Sequence, residues 1–314
     1  MIRNIAVIGT GGVGGFFGGK LCGLMPVHPD MHITFIARGR HLQAIRENGL
    51  VLNTAEAGEY VCRPDLATDD INEMPAPDLC LLCVKSYDLT GVLNALKAKT
   101  TEETLILPLL NGVDIDNRIR KIIAAGIVFP GCVYVGTHIE TYGKVTQKGG
   151  AGKILFGKDP LHPGTVPDAL FGLFAQSRIP FQWYDDPLPP VWEKFIFIAA
   201  FGLVTAYSNK TLGEVLDSAF LKQEVRSVME EIAALAARKD IRLPPDIVDR
   251  SMEKGRAFPH GTKTSFQRDF ENPGRRDERD LFGDTVIRMG RETGVKTPVT
   301  RALADELNRL KPVE

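Results

Sequence analysis

The first half of the chain alternates short apolar runs with helical stretches. The runs are continuously apolar instead of alternating with polar residues, as in LCLLCV at 79–84. Strands of this kind are covered on both faces, which is typical of a mostly parallel sheet with helices on either side. The pattern predicts an α/β fold with strands at 2–8, 33–37, 78–84, 104–108 and 127–135.

Beyond residue 136 polar and apolar residues alternate along the chain. This alternation indicates antiparallel strands with one exposed face. We expect these strands to close the parallel sheet, and a helix at 166–177 and a strand at 181–184 to complete the first domain. Turns are expected at Gly143, Gly149, Gly150 and Gly152.

From Val191 onward the apolar positions follow a helical rhythm. In 221–236 they recur every three or four residues, as on one face of a helix. The segment DDPLPP at 185–190 separates the two patterns, because its prolines interrupt regular structure. We therefore predict an α/β domain at 1–186 and an all-helical C-terminal domain at 187–314. Its helices should lie at 191–208, 218–239, 245–256, 262–271, 279–293 and 298–310.

Composition and charge predict that the binding partner is a small molecule, not a nucleic acid or a membrane. The 314 residues are 44% hydrophobic and 25% charged, which is typical of a globular protein. With 38 basic against 39 acidic residues, the net charge of −1 gives no field that would attract a nucleic acid or an anionic membrane. No secretory signal pattern is found, and the longest apolar run, at 195–204, is too short to span a bilayer. We expect a cytoplasmic protein.

The five cysteines form neither a disulfide framework nor a zinc site. An odd number, scattered over one half of a long chain, fits a reducing compartment. Cys80 and Cys83 form a CxxC pattern, but a strand points residues three apart to opposite faces, so we interpret them as buried thiols. No second Cys/His pair lies at zinc spacing, and we expect no metal ion.

A glycine turn, GTGGVG, follows the first strand directly and precedes a helix. Its first glycine permits a tight turn, the second lets the backbone approach a pyrophosphate, and the third lets helix and strand pack closely. The context predicts a Rossmann-type dinucleotide-binding domain, the alternative being a glycine turn without a ligand. The cofactor-binding residues expected here are Gly9, Thr10, Gly11, Gly12, Val13 and Gly14.

The end of the second strand predicts which dinucleotide is bound. NAD enzymes carry a carboxylate there that accepts hydrogen bonds from the ribose hydroxyls, whereas this chain has Arg38, with Arg40 just beyond. A guanidinium pairs well with a 2′-phosphate, so we expect NADPH as the cofactor. The alternative is a solvated arginine on a loop.

Together with the glycine turn, four further segments resemble the ketopantoate reductases, which are NADPH-dependent 2-dehydropantoate 2-reductases. The resemblance covers nearly the whole chain, and the five segments occur in the same order and spacing. The four segments are LLCVKSYDL around Lys85, LPLLNGVD around Asn111, VWEKFIFIAAFGLVTA around Lys194, and TSFQRDFENPGRRDERDLFGDTVIRMGRETGVKTP around Ser265 and Glu278.

The resemblance implies that two residues of the first domain contact both cofactor and substrate. Lys85 and Asn111 each follow a predicted strand at the carboxyl edge of the sheet, where ligands of open α/β sheets bind. The alternatives are a surface lysine and an Asn-Gly turn selected for its backbone geometry.

The resemblance makes Lys194 the general acid. Reduction of a ketone by hydride needs a proton donor at the developing alkoxide, and a partly desolvated lysine facing a cleft between the domains can serve. The alternative is a snorkelling lysine at the start of a core helix. Glu278 is the implied acidic residue, which would hold both lysine and substrate and contact the cofactor. Asp277 would take that role if Pro273 is not an insertion. Ser265 would bind the substrate carboxylate, or else cap a helix.

Three positions depart from the family pattern. Ile198, Gly202 and Leu212 stand where the family usually has asparagines, which makes the pocket more apolar. Three functions therefore remain open: reduction of ketopantoate to pantoate, reduction of another 2-keto acid, and non-catalytic NADPH sensing. Monomer and homodimer also both remain open.

Overall fold

The computed structural model describes residues 2–274 and 276–312. The chain forms two compact units, one ending at Pro187 and one beginning at Leu188. The first unit combines sheets and helices and the second is helical, so the predicted α/β and all-helical fold classes are confirmed.

The first unit contains two sheets. Its strands are β1 (Asn4–Ile8), β2 (His32–Ile36), β3 (Leu50–Thr54), β4 (Gly58–Cys62), β5 (Leu66–Thr68), β6 (Leu79–Leu82), β7 (Leu105–Pro108), β8 (Ile127–Val128), β9 (Gly131–Thr141), β10 (Lys144–Gly157) and β11 (Phe181–Tyr184). Its helices are α1 (Gly12–Cys22), α2 (Gly39–Asn48), α3 (Ser86–Leu96), α4 (Ile115–Arg120) and α5 (Asp168–Gln176).

The first sheet is parallel in every pairing and has the order β5-β2-β1-β6-β7-β8. This is the doubly wound order of a dinucleotide-binding fold, in which the strand sequence reverses between β1 and β6. All four residues of β6 are buried, as its continuous apolar run predicts.

The antiparallel strands lie in a second sheet and do not close the parallel one. This sheet has the order β11-β10-β3-β4, with β9 paired to β10. The predicted hairpin turn at Gly143 is confirmed, but Gly149, Gly150 and Gly152 lie inside β10, where they shift its register against β9. The expected strand 127–135 is interrupted at Phe129 and Pro130 and contributes to both sheets.

Helix α1 lies between the two sheets, which explains its many glycines. It contacts β1 and β2 on one side and β3, β9 and β10 on the other. A Cβ atom on Gly15 would lie 2.7 Å from Val145, and one on Gly18 would lie 2.8 Å from Phe35. These distances are shorter than van der Waals contact, so the helix can fit between the layers only with glycine at these positions.

The second unit consists of helices around α6. They are α6 (Leu188–Ser208), α7 (Leu212–Asp217), α8 (Ala219–Arg238), α9 (Ile247–Arg256), α10 (Ser265–Phe270), a π-helical segment (Asp280–Asp284), α11 (Thr285–Thr293) and α12 (Pro298–Leu310). Helix α6 contacts α8, α9, α10 and α12.

Two predictions about this unit are wrong in detail. Pro189 and Pro190 do not interrupt regular structure but lie in the first turn of α6, where the missing N–H groups have no partner to lose. The short helix α7 was not predicted, although Thr211 and Glu214 form a capping box at its start.

Helix α6 is long and apolar enough to cross a membrane by length and composition, with a mean hydropathy of 1.4. However, 72% of that apolar window is buried inside the protein. Burial among other helices is typical of the core helix of a globular unit.

Candidate active site

Four strand ends of the parallel sheet lie side by side at its carboxyl edge. Ile8 pairs with Ile36 and with Leu82, and Leu82 pairs with Pro108, so the last residues of β2, β1, β6 and β7 are in register. Three strand spacings correspond to about 14 Å, a length that suits a dinucleotide. The structure thus brings Gly9, Arg38, Lys85 and Asn111 to one edge, each within three residues of its strand.

The glycine turn has the geometry that its sequence predicts. Gly9 adopts a φ of 90°, and a Cβ there would lie 2.8 Å from Val84. A Cβ on Gly14 would lie 2.2 Å from the carbonyl oxygen of Gly9, so only glycine lets α1 approach β1 this closely. A Cβ on Gly11, in contrast, would meet nothing within 4 Å, so this face of the turn is open.

The start of α1 fits the pyrophosphate of a dinucleotide. Its N-cap is Gly11, no side chain caps it, and its first turn carries no acidic residue. Within residues 2–274 and 276–312, the Gly11 N–H makes no hydrogen bond. An uncapped helix N-terminus, with a backbone donor that has no partner among the described residues, is a suitable site for an anion.

Arg38 is the N-cap of α2 and its side chain is 62% exposed. Its guanidinium lies 3.4 Å from Asp88 of α3, a solvent-exposed ion pair that contributes little to stability. No acidic residue lies in the first turn of α2, and Arg40 adds a second positive charge there. The Arg40 guanidinium lies over the Tyr142 ring, 6.0 Å from its centroid. A helix N-terminus with an exposed guanidinium at its cap suits a phosphate group.

Lys85 and Asn111 are both half-buried at the same edge. Lys85 is the N-cap of α3. Asn111 precedes Gly112, whose φ of 126° shows that the Asn-Gly pair also has the turn geometry of the structural alternative. The two interpretations of Asn111 are therefore compatible.

Lys194 lies in the second turn of α6, not at its start, and is 8% exposed. Ile198 and Gly202 follow at four-residue intervals and therefore share its face of the helix. Ile198 is half-buried, while a Cβ on Gly202 would lie 3.6 Å from Phe266 and 4.0 Å from Phe282. The face beyond the lysine is apolar, as the sequence suggested.

The two candidate acidic residues have different surroundings. The Arg279 guanidinium donates hydrogen bonds of 2.8 and 2.7 Å to the two carboxylate oxygens of Asp277, and Lys311 lies 3.4 Å away. Burial alone would raise the pKa of Asp277, but these cations outweigh it and hold the pKa below its usual value. Arg279 also donates to the carbonyl oxygen of Lys311, just beyond the end of α12.

Asp277 therefore binds cations next to the C-terminal helix, and its carboxylate is already used in this contact. Glu278 is 3% exposed, and its carbonyl oxygen accepts the Leu281 and Phe282 N–H groups.

We expect Asp277→Asn to lower the free energy of unfolding by up to about 3 kcal/mol, because it leaves the half-buried Arg279 without its charge partner. Urea unfolding would measure this, with Asp305→Asn, an exposed carboxylate of α12, as the control. Stability should also decrease as the pH falls below about 4, because the unfolded chain then binds a proton at Asp277 that the folded protein, with its lowered pKa, does not yet bind. A stable Asp277→Asn variant with a large loss of turnover would instead assign the acidic role to Asp277.

Ser265 is exposed as the first residue of α10 and is not the helix cap. That role belongs to Thr264, whose hydroxyl accepts the Gln267 N–H at 3.1 Å and lies 2.9 Å from the Thr205 hydroxyl. The capping alternative for Ser265 is thus wrong. Leu212, the third departure, is 2% exposed at the start of α7.

One residue near the glycine turn was missed by the sequence interpretation. His41 is 7% exposed, and its ring contacts the Thr10 carbonyl. Its position beside Leu42 and Ile45 on the buried face of α2 was a readable signal of burial.

In the described part of the chain the cysteines form no disulfide, and no cluster of potential metal ligands is found there.

Comparison with known proteins identifies the family. The family described as "Ketopantoate reductase PanE/ApbA" matches residues 5–160, and its C-terminal counterpart matches residues 188–311. The chain belongs to the ketopantoate reductase family. Members are oxidoreductases that act on CH–OH donors, so the protein is an enzyme of this class and binds a nicotinamide dinucleotide. Family membership gives no support to a non-catalytic sensor.

Individual relatives are distant but match over their full length. The chain is 27% identical to a 2-dehydropantoate 2-reductase of Caulobacter vibrioides, over 98% of this chain and 99% of the relative. A PanE/ApbA family ketopantoate reductase of Ralstonia eutropha is 28% identical with a TM-score of 0.87, over 98% of both chains. D-mandelate dehydrogenase, solved with NADH and anilino(oxo)acetate, has a TM-score of 0.85 at 20% identity over 98% of both chains, a likeness of fold alone.

Proposed function

We propose that the protein reduces 2-dehydropantoate (ketopantoate) to pantoate with NADPH, in the pathway to pantothenate and coenzyme A. The observation that carries this proposal is Lys194, a cation only 8% exposed in an otherwise apolar stretch of α6. Taking an ammonium group out of water costs free energy. A role in chemistry at a developing negative charge would account for this cost.

The residues at the carboxyl edge would hold the cofactor. When bound, NADPH supplies the hydride that is added to the carbonyl carbon of the substrate. The glycine turn from Gly9 to Gly14 would bind its pyrophosphate and Arg38 its 2′-phosphate. Lys85 and Asn111 offer an ammonium and an amide, which can contact both nicotinamide and substrate.

The helical unit would provide the proton. Hydride addition leaves negative charge on the carbonyl oxygen, and the Lys194 ammonium would donate a proton to that oxygen. Glu278 would hold the lysine and the substrate and contact the cofactor. Ser265, whose exposed hydroxyl is not used as a cap, would donate a hydrogen bond to the substrate carboxylate.

A second candidate is the same reaction on a 2-keto acid with a more apolar side chain. Ile198 and Gly202 favour it, because the face of α6 that carries Lys194 continues with an aliphatic side chain and with two phenylalanine rings. Such a surface offers no hydrogen bond to the hydroxyl group of ketopantoate, and each missing contact costs about 1 kcal/mol.

A purified-enzyme assay of NADPH oxidation with a panel of 2-keto acids tests the proposal and separates the two candidates. For ketopantoate as the native substrate, we expect kcat/KM of about 10⁴ M⁻¹s⁻¹ or above. A value far below this, with a better apolar keto acid in the panel, would favour the second candidate.

If the second candidate is correct, Ile198→Asn should shift the ratio of kcat/KM values toward ketopantoate by about tenfold, because it adds an amide at a half-buried position. Gly202→Asn is less suitable, since its amide would be buried against Phe266 and Phe282. Ile198→Val keeps the surface apolar and serves as the control. An unchanged ratio of kcat/KM values in Ile198→Asn would show that this position does not contribute to substrate specificity.

The same proposal places the enzyme in the cytoplasm, where free thiols persist. The cysteines, which form no disulfide among the described residues, support this location.

A further inference from the structure

His41 connects two turns of the first unit through the two nitrogens of its ring. Its Nε2 lies 2.8 Å from the carbonyl oxygen of Thr10 in the glycine turn. Its Nδ1 accepts the N–H of Gly143, at 3.0 Å, from the turn between β9 and β10. Each ring nitrogen therefore has one hydrogen-bond partner in the protein backbone.

These contacts define the protonation state of His41. Because Nδ1 accepts an N–H, it carries no proton, and the neutral ring has its proton on Nε2, which donates to Thr10. Burial lowers the pKa of His41 below its ordinary value, which supports the same neutral form.

The contact to Thr10 determines the direction of the next amide. The Thr10 carbonyl and the Gly11 N–H belong to one planar trans peptide and point in opposite directions. Since His41 holds the carbonyl on one side, the Gly11 N–H must point to the other, where it has no hydrogen-bond partner among the described residues. Donation to the carbonyl also polarises this peptide and strengthens its N–H as a donor.

The other end of the connection is rigid. The Gly143 carbonyl accepts the Val51 N–H at 2.8 Å, and a Cβ on Gly143 would lie 2.8 Å from Ala44 of α2. Thr10 is equally constrained, because its N–H and its hydroxyl both donate to the Ile36 carbonyl, at 3.0 and 2.8 Å. Because both turns are constrained, the histidine between them can fix the orientation of the Thr10 peptide.

We propose that His41 is a positioning residue that aims the Gly11 N–H at the pyrophosphate of the bound dinucleotide. The inference rests on the proposed cofactor site but concerns a different part of the ligand from Arg38. The pyrophosphate is common to NADPH and NADH, whereas the 2′-phosphate is present only in NADPH. Substitution of His41 should therefore weaken both dinucleotides, whereas substitution of Arg38 should weaken only ligands with a 2′-phosphate.

The test measures dissociation constants by calorimetry for NADPH, NADH and adenosine 2′-monophosphate, which has the 2′-phosphate but no pyrophosphate. In His41→Phe, we expect the constants for NADPH and NADH to rise by the same factor, about tenfold, with the 2′-monophosphate unchanged. His41→Gln, which can still donate to Thr10, should restore most of the affinity. In His41→Phe, KM for the dinucleotide should rise, while kcat at saturating dinucleotide should stay within twofold of the original.

Two controls separate positioning from general damage to α2. Ile45→Val shortens a buried side chain on the same face of the helix and should destabilise the protein without changing any of the three constants. In ¹⁵N NMR of the unliganded protein, Nδ1 of His41 should have the chemical shift of an unprotonated nitrogen.

Unchanged dinucleotide affinity in His41→Phe would overturn the inference, as would an equal loss of affinity for the 2′-monophosphate. Equal NADPH and NADH constants in the unmodified protein would overturn the cofactor preference alone. An unmodified protein that binds neither dinucleotide would overturn both proposals.

Discussion

Lys194→Ala should reduce kcat by a factor of about 10² to 10⁴ and leave NADPH affinity within a few-fold of the original. Positioned proton transfer contributes a factor of this size, and a residue that acts only on the developing alkoxide does not contribute to cofactor binding. In the unmodified enzyme, reduction should slow at alkaline pH as the ammonium loses its proton. Glu278→Gln should shift that profile, because the proposed contact of the Glu278 carboxylate with the lysine favours the charged ammonium.

Glu193→Ala is the matched control for the lysine. It removes a half-buried charge from the adjacent position of α6. Among the described residues, Glu193 makes a loose ion pair of 3.9 Å with Arg250. The turnover of Glu193→Ala should stay within twofold of the original. If Lys194→Ala keeps full activity with its circular dichroism unchanged, the proton comes from another group.

NADPH should bind at least tenfold more tightly than NADH, and Arg38→Ala should remove most of this difference. A charge-assisted contact to the 2′-phosphate contributes about 1.4 kcal/mol or more, which is a factor of ten in affinity. Arg38→Ala should lose affinity for NADPH and for adenosine 2′-monophosphate, while its affinity for NADH changes little. Fluorescence titration with the three ligands measures these affinities.

Arg46→Ala tests whether net charge alone explains the preference. Arg46 lies in the last turn of the same helix and donates to the Ala67 carbonyl at 2.8 Å, so the substitution removes an equal charge from the other end of α2. Its NADPH to NADH ratio should match that of the unmodified protein. Equal constants for the two dinucleotides before any substitution would contradict the assignment of Arg38.

The strands and helices with strong periodicity could be predicted from the sequence. The runs in β1, β2, β6 and β7 are continuously apolar because both faces of the parallel sheet are covered, and the six helices expected after residue 190 all exist. The hairpin of β3 and β4 was missed, since its strands are five residues long and β4 is largely exposed. Sequence patterns this short and this polar cannot be distinguished from those of loops.

The candidate site was predicted unevenly. The glycine turn and Arg38 could be located because backbone geometry and charge constrain a short, local segment. The choice between Asp277 and Glu278 could not be made, because adjacent carboxylates in one sequence have no distinguishing pattern. The structure adds the partners of Asp277, which are Arg279 and Lys311, and Lys311 lies 34 positions away in the sequence.

The sequence by itself determined the fold class, the dinucleotide turn and the absence of a carboxylate at the end of β2. These features depend on local periodicity, glycine geometry and side-chain charge, which act over a few residues. Only the tertiary structure decided that β9 and β10 form a separate sheet, that α1 packs between two sheets, and that His41 holds the Thr10 peptide. His41 contacts Gly143 across 102 positions of sequence, and no local pattern encodes a contact that requires both turns to be folded.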